Sequence, residues 1–193
     1  MRAIHIILTL ISGIVIGVLN QRIGILIQAL DSILFILILQ IGIEVGLKYK
    51  DIMRSIKKLK NQLHLPIITI ISSIIAGIIS SKILNIDTRI VLAISLGMGW
   101  YSFTGAYLTL KLNPYYGAIA FASNMLREAA TIIITPILPR KFKKAGVIIG
   151  GATTMDTTLP IIVKEFGEEE MILALYHGLI ITLIIPIILS TII

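Results

Sequence analysis

The chain of 193 residues contains no cysteine, and only 14% of its residues carry a charge. The first absence excludes disulfides, thiolate nucleophiles and zinc–thiolate centres. The second lies far below the roughly 25% of a soluble domain. Acids are the scarcer sign, 10 against 17 Lys and Arg. Catalytic signatures are missing too: there is no P-loop, no G-x-S-x-G, and no His/Glu spacing that would ligate a metal from one helix. Intramembrane proteolysis would need a Ser/His pair, a zinc motif or an Asp dyad, and the surroundings of Asp31 and Asp156 do not support a dyad. The expectation is a chain that is not an enzyme and carries no metal or cofactor.

What is present is apolar sequence, 56% of the total. A core of this size cannot hide so much in water. The charges fall between long uncharged runs instead: Asn61–Ser81, Ile90–Leu110 and Met171–Ile193. Each is near the roughly 20 apolar residues that cross a bilayer. Ala3–Leu19 and Ile23–Leu47 are two earlier runs, the second interrupted by Asp31 and Glu44, and Gly117–Leu138 is a further span containing Asn124, Arg127 and Glu128. The fold expected is a single all-α integral membrane domain over residues 1–193. It has about five transmembrane helices and two glycine-rich elements, near 90–110 and 145–163, that are broken or re-entrant.

The basic residues give the orientation. Lys48–Lys60 holds six bases and one acid, and Arg140-Lys141-Phe142-Lys143-Lys144 is a second cluster. In a chain this apolar they read as juxtamembrane clusters that face the cytoplasm and anionic headgroups, not as nucleic-acid patches. That places the N-terminus inside and Ser80–Arg89 outside. Both clusters reach the cytoplasm only if Ile90–Leu110 enters and leaves on one face, with Ala145–Val163 re-entrant from within and the C-terminus outside. The competing arrangement makes both elements discontinuous crossing helices.

The two broken elements carry the polar chemistry. The first contains Gly97, Gly99 and Gly105 with Trp100, Tyr101, Ser102 and Thr104; the second contains Gly146, Gly150 and Gly151, four threonines, Asp156 and Pro160. Irregular backbone at membrane depth survives only inside protein or beside a watery cavity, and paired broken helices point to a transporter's binding site. Helix N-termini there suit a carboxylate, while carbonyls and acidic side chains suit a cation. A plainer reading is close helix packing through small residues. Candidate substrate-binding residues are Glu128, Asp156, Asn124, Gly99, Trp100, Ser102, Thr153 and Thr154. Glu128, Asp156 and His177 are candidates for proton coupling, since an ionisable group inside a span is costly. Each has a structural alternative: an ion pair for Glu128, a helix cap for Asp156, a packing hydrogen bond for His177.

Four stretches, in order, resemble the LysO-type lysine exporter family: Gly97-Met-Gly-Trp-Tyr-Ser-Phe-Thr-Gly105, Asn124-Met-Leu-Arg-Glu128, Gly151-Ala-Thr-Thr-Met-Asp-Thr-Thr-Leu-Pro160 and His177-Gly178. The resemblance implies export of L-lysine and its analogue thialysine across the cytoplasmic membrane, with the family's intramembrane acids at Glu128 and Asp156. Longer members of the family carry a further hydrophobic block ahead of the matched region. The expected assembly is therefore a homodimer or a pairing with a separately encoded small membrane protein. Proton antiport is the expected coupling, with Na⁺ as a further candidate ion. The alternatives are a Na⁺/H⁺-type cation exchanger and a non-transporting membrane subunit.

Overall fold

A computed structural model describes residues 64–193 continuously, together with the isolated positions 12, 15, 32, 35, 36, 39, 43, 46, 47 and 62. Apart from those positions, the runs Ala3–Leu19 and Ile23–Leu47 lie outside the described residues, as do Asp31, Glu44 and the Lys48–Lys60 cluster. The described chain is helical throughout, with no strand among the described residues.

Within residues 64–193 seven α-helices follow in order: α1 Leu65–Leu84, α2 Thr88–Ser95, α3 Tyr101–Lys111, α4 Pro114–Ile134, α5 Lys143–Gly150, α6 Leu159–Phe166 and α7 Glu169–Ile192. Local chemistry sets several of their ends. Pro66 opens α1, where a missing N–H costs nothing, and Asn85 in the left-handed conformation closes it. Asp87 accepts from the Arg89 N–H at the start of α2, and Asn113 accepts from the Tyr116 N–H at the start of α4. Among the described residues, Leu65–Leu84, Pro114–Ile137 and Glu169–Ile192 are long and apolar enough to cross a membrane.

Side-chain placement is inverted relative to a soluble protein. In α1 the buried face is Thr69, Ser73, Gly77 and Ser81, four residues apart, whereas Ile67, Ile71, Ile75, Ile79 and Ile83 are exposed. Small and hydroxyl residues at helix contacts, with isoleucine outward, are what a hydrocarbon solvent selects.

Contacts along α1 fix the direction of everything else. At its start, Leu65 packs in one cluster with Val147, Ile162 and Leu173. One turn on, Thr69 meets Ile148 and His177. Ser73 then meets Arg127, and Ser81 meets Thr88 near the far end. Helix α4 runs the opposite way, since Arg127 is level with the middle of α1 while Thr135 lies against Gly146 near its start. Helices α2 and α3 therefore form a broken hairpin whose two outer ends lie at the far end of the bundle. Helices α5 and α6 form a second hairpin based at the near end, where Phe166 lies against Gly146. The hairpins point at each other, and their tips join through the Ala152 N–H to Met98 carbonyl hydrogen bond of 2.9 Å.

The near end holds the Arg140–Lys144 cluster and the acidic start of α7. Lys143 Nζ sits 2.6 Å from Glu170 Oε1, tying the base of the second hairpin to α7. That hydrogen bond and charge hold the Lys143 ammonium above the usual lysine range.

Two outcomes check this architecture. Gly151 has φ 61° and ψ −127°, and a Cβ there would run into the Met98 carbonyl. Gly167 also has positive φ, 97°, but open space around it. Gly151→Ala therefore adds a clash between the tips to backbone strain of about 1–3 kcal/mol, whereas Gly167→Ala meets strain alone. Melting in detergent should fall clearly further for Gly151→Ala, and equal losses would contradict the tip contact. The second outcome concerns pH. A raised lysine value means that the stabilisation is complete below the unfolded lysine pKa of about 10.4 and is lost as pH rises through the folded value. The melting advantage of wild type over Lys143→Met should be steady from pH 7 to 9 and close above pH 11. A constant gap would show that the ion pair does not contribute.

Candidate functional site

A helix that stops midway leaves N–H groups at one end and carbonyls at the other without intrahelical partners. The meeting hairpins bring four such ends together: the C-termini of α2 and α5 and the N-termini of α3 and α6. Helix α4 satisfies the two carbonyl ends. Asn124 Nδ2 donates to the Ile94 carbonyl of α2 at 2.9 Å, and Arg127 donates to the Ile148 and Ile149 carbonyls of α5 at 3.2 and 2.7 Å. Arg127 also reaches the Ser73 hydroxyl at 3.0 Å. A cation at a helix C-terminus matches the negative end of its dipole.

The N-terminal ends are treated differently. Neither Trp100 at the start of α3 nor Thr158 at the start of α6 gives a side-chain cap. Two carboxylates lie beside them. Glu128 is half-buried on α4; its Oε2 is buried without a hydrogen-bond partner, and its carboxylate meets the Thr157 side chain. Asp156 is exposed, and its Oδ1 accepts from the Thr157 N–H at 2.6 Å and the Thr157 hydroxyl at 3.3 Å. Thr157 thus touches both acids, and the Tyr101 phenol is close enough to feel both charges. The phenyl ring of Phe121 holds Tyr101 edge-on at 5.2 Å. This cluster presents negative charge for a cation and open helix N-termini for an anion.

The other sequence candidates fall into two groups. Ser102 is exposed in the first turn of α3, and Trp100 is partly buried and stacks on Phe103 at 4.6 Å. Both are at the tip of the first hairpin and available to a ligand. Asn124, Gly99, Thr153, Thr154 and His177 hold hydrogen bonds within the protein. The Asn124 amide donates to the Ala120 carbonyl as well as Ile94, and its oxygen takes the Gly99 N–H at 2.8 Å. Both amide donors are thereby used. Thr153 donates to the Gly150 carbonyl and meets Thr158, while Thr154 lies at 2.9 Å from the Ala174 carbonyl. His177 is wholly buried, with Nε2 2.8 Å from the Thr69 hydroxyl and Nδ1 3.4 Å from that of Thr154. It bridges α1, α7 and the second tip, with its ring nitrogens turned to hydroxyls and not to either carboxylate.

Three participants were not singled out by sequence reasoning for these roles. Thr157 was one of four threonines with nothing to distinguish it. Tyr101 carried only its aromatic character. Arg127 is only one of the charged residues in the fifth run, and its chain position gives no hint of two carbonyls beyond a long connection.

The sequence matches the family profile described as "Lysine exporter LysO" over residues 7–193. The lysine exporter LysO of Escherichia coli K12 is 31% identical over 166 residues, covering 84% of this chain and 54% of that protein. A lysine-exporter homologue of Haemophilus influenzae Rd is 33% identical over 160 residues, covering 81% of this chain and 80% of its own length. The chain thus spans about half the length of the Escherichia coli relative. No solved structure matches. With nearly the whole chain inside the profile, including both hairpin tips and the carboxylate cluster, this protein belongs to the lysine exporter LysO family.

Proposed function

We propose that the chain forms a transport site that exports L-lysine, and analogues such as thialysine, across the cytoplasmic membrane by exchange with protons. The observation that carries this is the Glu128–Thr157–Asp156 cluster beside two uncapped helix N-termini where opposed hairpins meet. Lysine carries one carboxylate and two ammonium groups. The starts of α3 and α6, which no side chain caps, suit the carboxylate together with Ser102. Glu128 and Asp156 suit the ammonium groups, and the unpartnered Glu128 Oε2 is an acceptor in want of a donor.

Coupling follows from energetics. Moving a cation out of a negative interior is opposed by about 2.3 kcal/mol per charge per 100 mV. A proton taken from outside by Glu128 or Asp156 removes the charge that holds the ammonium and releases lysine. Deprotonation on the inner side restores it. The reading also takes the two hairpins as re-entrant segments entering from opposite faces. Its support is that Arg140–Lys144 and the link before α7 lie at the end where α1 begins, just after the most basic stretch of the sequence. That end is assigned to the cytoplasm.

Purified full chain in proteoliposomes should move radiolabelled lysine under an imposed pH gradient. Glu128→Gln and Asp156→Asn should each lower that flux by about 100-fold, the scale of one lost charge contact of 2–3 kcal/mol. Lysine movement indifferent to pH and potential would remove the antiport step. Na⁺/H⁺ exchange untouched by lysine would replace the substrate. Because the chain lacks cysteine, orientation can be read from one introduced thiol. Lys141→Cys should react with an impermeant maleimide only after the membrane is opened, and labelling in intact cells would reverse the topology.

A further inference from the structure

Helix α4 touches both hairpin tips from two side chains three residues apart, immediately before Glu128. Asn124 spans the first break, its amide donating to the last-turn Ile94 carbonyl and accepting from the Gly99 N–H beyond the break. Arg127 grips the second hairpin at two last-turn carbonyls of α5, just ahead of Gly151. In lipid, those groups have no water to turn to, so a tip released from α4 would leave them unsatisfied. The following residue, Glu128, belongs to the acid cluster, whose other carboxylate rides on the second tip. One helix therefore carries the reference frame for both tips and one of the two charges.

We infer that Asn124 and Arg127 are paired positioning residues, one for each hairpin, and that Arg127 acts on substrate only by holding the second tip so that Asp156 faces Glu128. This rests on the transport reading for its functional arm and on geometry alone for its structural arm. Arginine is required at this place because its planar fork reaches two carbonyls and a hydroxyl at once. Lysine keeps the charge but has no fork. A chain with a loosened tip spends only a fraction of its time with the site assembled. Its apparent affinity falls by that fraction, while saturating ligand restores the assembled state. Glu128 behaves differently under the same reading, since a carboxylate that also carries the exchanged proton leaves the coupled step missing at every ligand concentration when it is lost.

The test joins amide hydrogen exchange on the purified full chain with lysine flux in proteoliposomes, for wild type, Arg127→Lys and Asn124→Ser. Arg127→Lys should speed exchange in 148–158 by about tenfold or more while leaving 94–101 within about twofold of wild type, because local opening is reported segment by segment. Asn124→Ser should do the reverse. In flux, Arg127→Lys should raise half-saturation by about tenfold with maximal rate held within about threefold, against the loss at all concentrations expected of Glu128→Gln. Exchange that rises across the whole chain, or in both tips together, overturns the assignment of one residue to one tip. So does unchanged exchange at 148–158, or a fall in maximal rate at constant half-saturation. If wild type moves no lysine, the transport reading fails, and the exchange pattern alone decides the positioning roles. The conservative changes keep a donor at each site, and Arg127→Lys also keeps the charge, so a folded chain is available for measurement.

Discussion

Backbone that leaves a helix inside an apolar surrounding must find hydrogen-bond partners in the protein itself. Two interruptions in this chain, after Ser95 and after Gly150, expose carbonyls at the ends of α2 and α5 and N–H groups at the starts of α3 and α6. Each unmet group would cost several kcal/mol in a bilayer. The meeting of the hairpins, the placing of α4 against both tips and the polar stripe on α1 can all be understood as answers to that cost. The Ala152–Met98 bond satisfies one break with the other. Asn124 and Arg127 satisfy the carbonyl ends from the side.

The satisfaction is asymmetric, and the asymmetry sets which polar groups stay unfilled at the middle of the bundle. Carbonyl ends receive fixed donors from α4, so the negative ends of two helix dipoles are neutralised internally. The N-terminal ends receive no side-chain cap and keep their positive character. Beside them stand Glu128 and Asp156, bridged by Thr157. The unfilled polar capacity of the middle of the bundle is therefore dipolar, with acidic side chains beside helix N-termini that no side chain caps. The Lys143–Glu170 pair stands apart from this centre, at the base of the second hairpin.

How much was legible in advance depended on which physical effect carried each residue. Glu128 and Asp156 stood out because charge inside an apolar run is expensive, a cost visible in one dimension. The breaks were legible for the same reason that glycine and hydroxyl clusters are unusual in lipid-facing helices. Asn124, Thr153, Thr154 and His177 were polar residues in the right places, but polarity does not say whether a hydrogen bond goes to ligand or to backbone. In the structure they reach Gly99, Ile94, Gly150, Ala174 and Thr69. Arg127 was hidden because its partners lie 21 and 22 residues away across a turn at Pro136–Pro139.

By itself the sequence determined the membrane class, the places where helices must break and the two carboxylates, because each of these is a cost of solvation set by composition along the chain. Only the tertiary structure decided that the hairpins point at each other, that α4 serves both tips, that Thr157 joins the acids, and that Asn124 and His177 meet the tips through Gly99 and Thr154. Those outcomes depend on which donor meets which acceptor across packed helices, and spacing along one chain does not encode the partner.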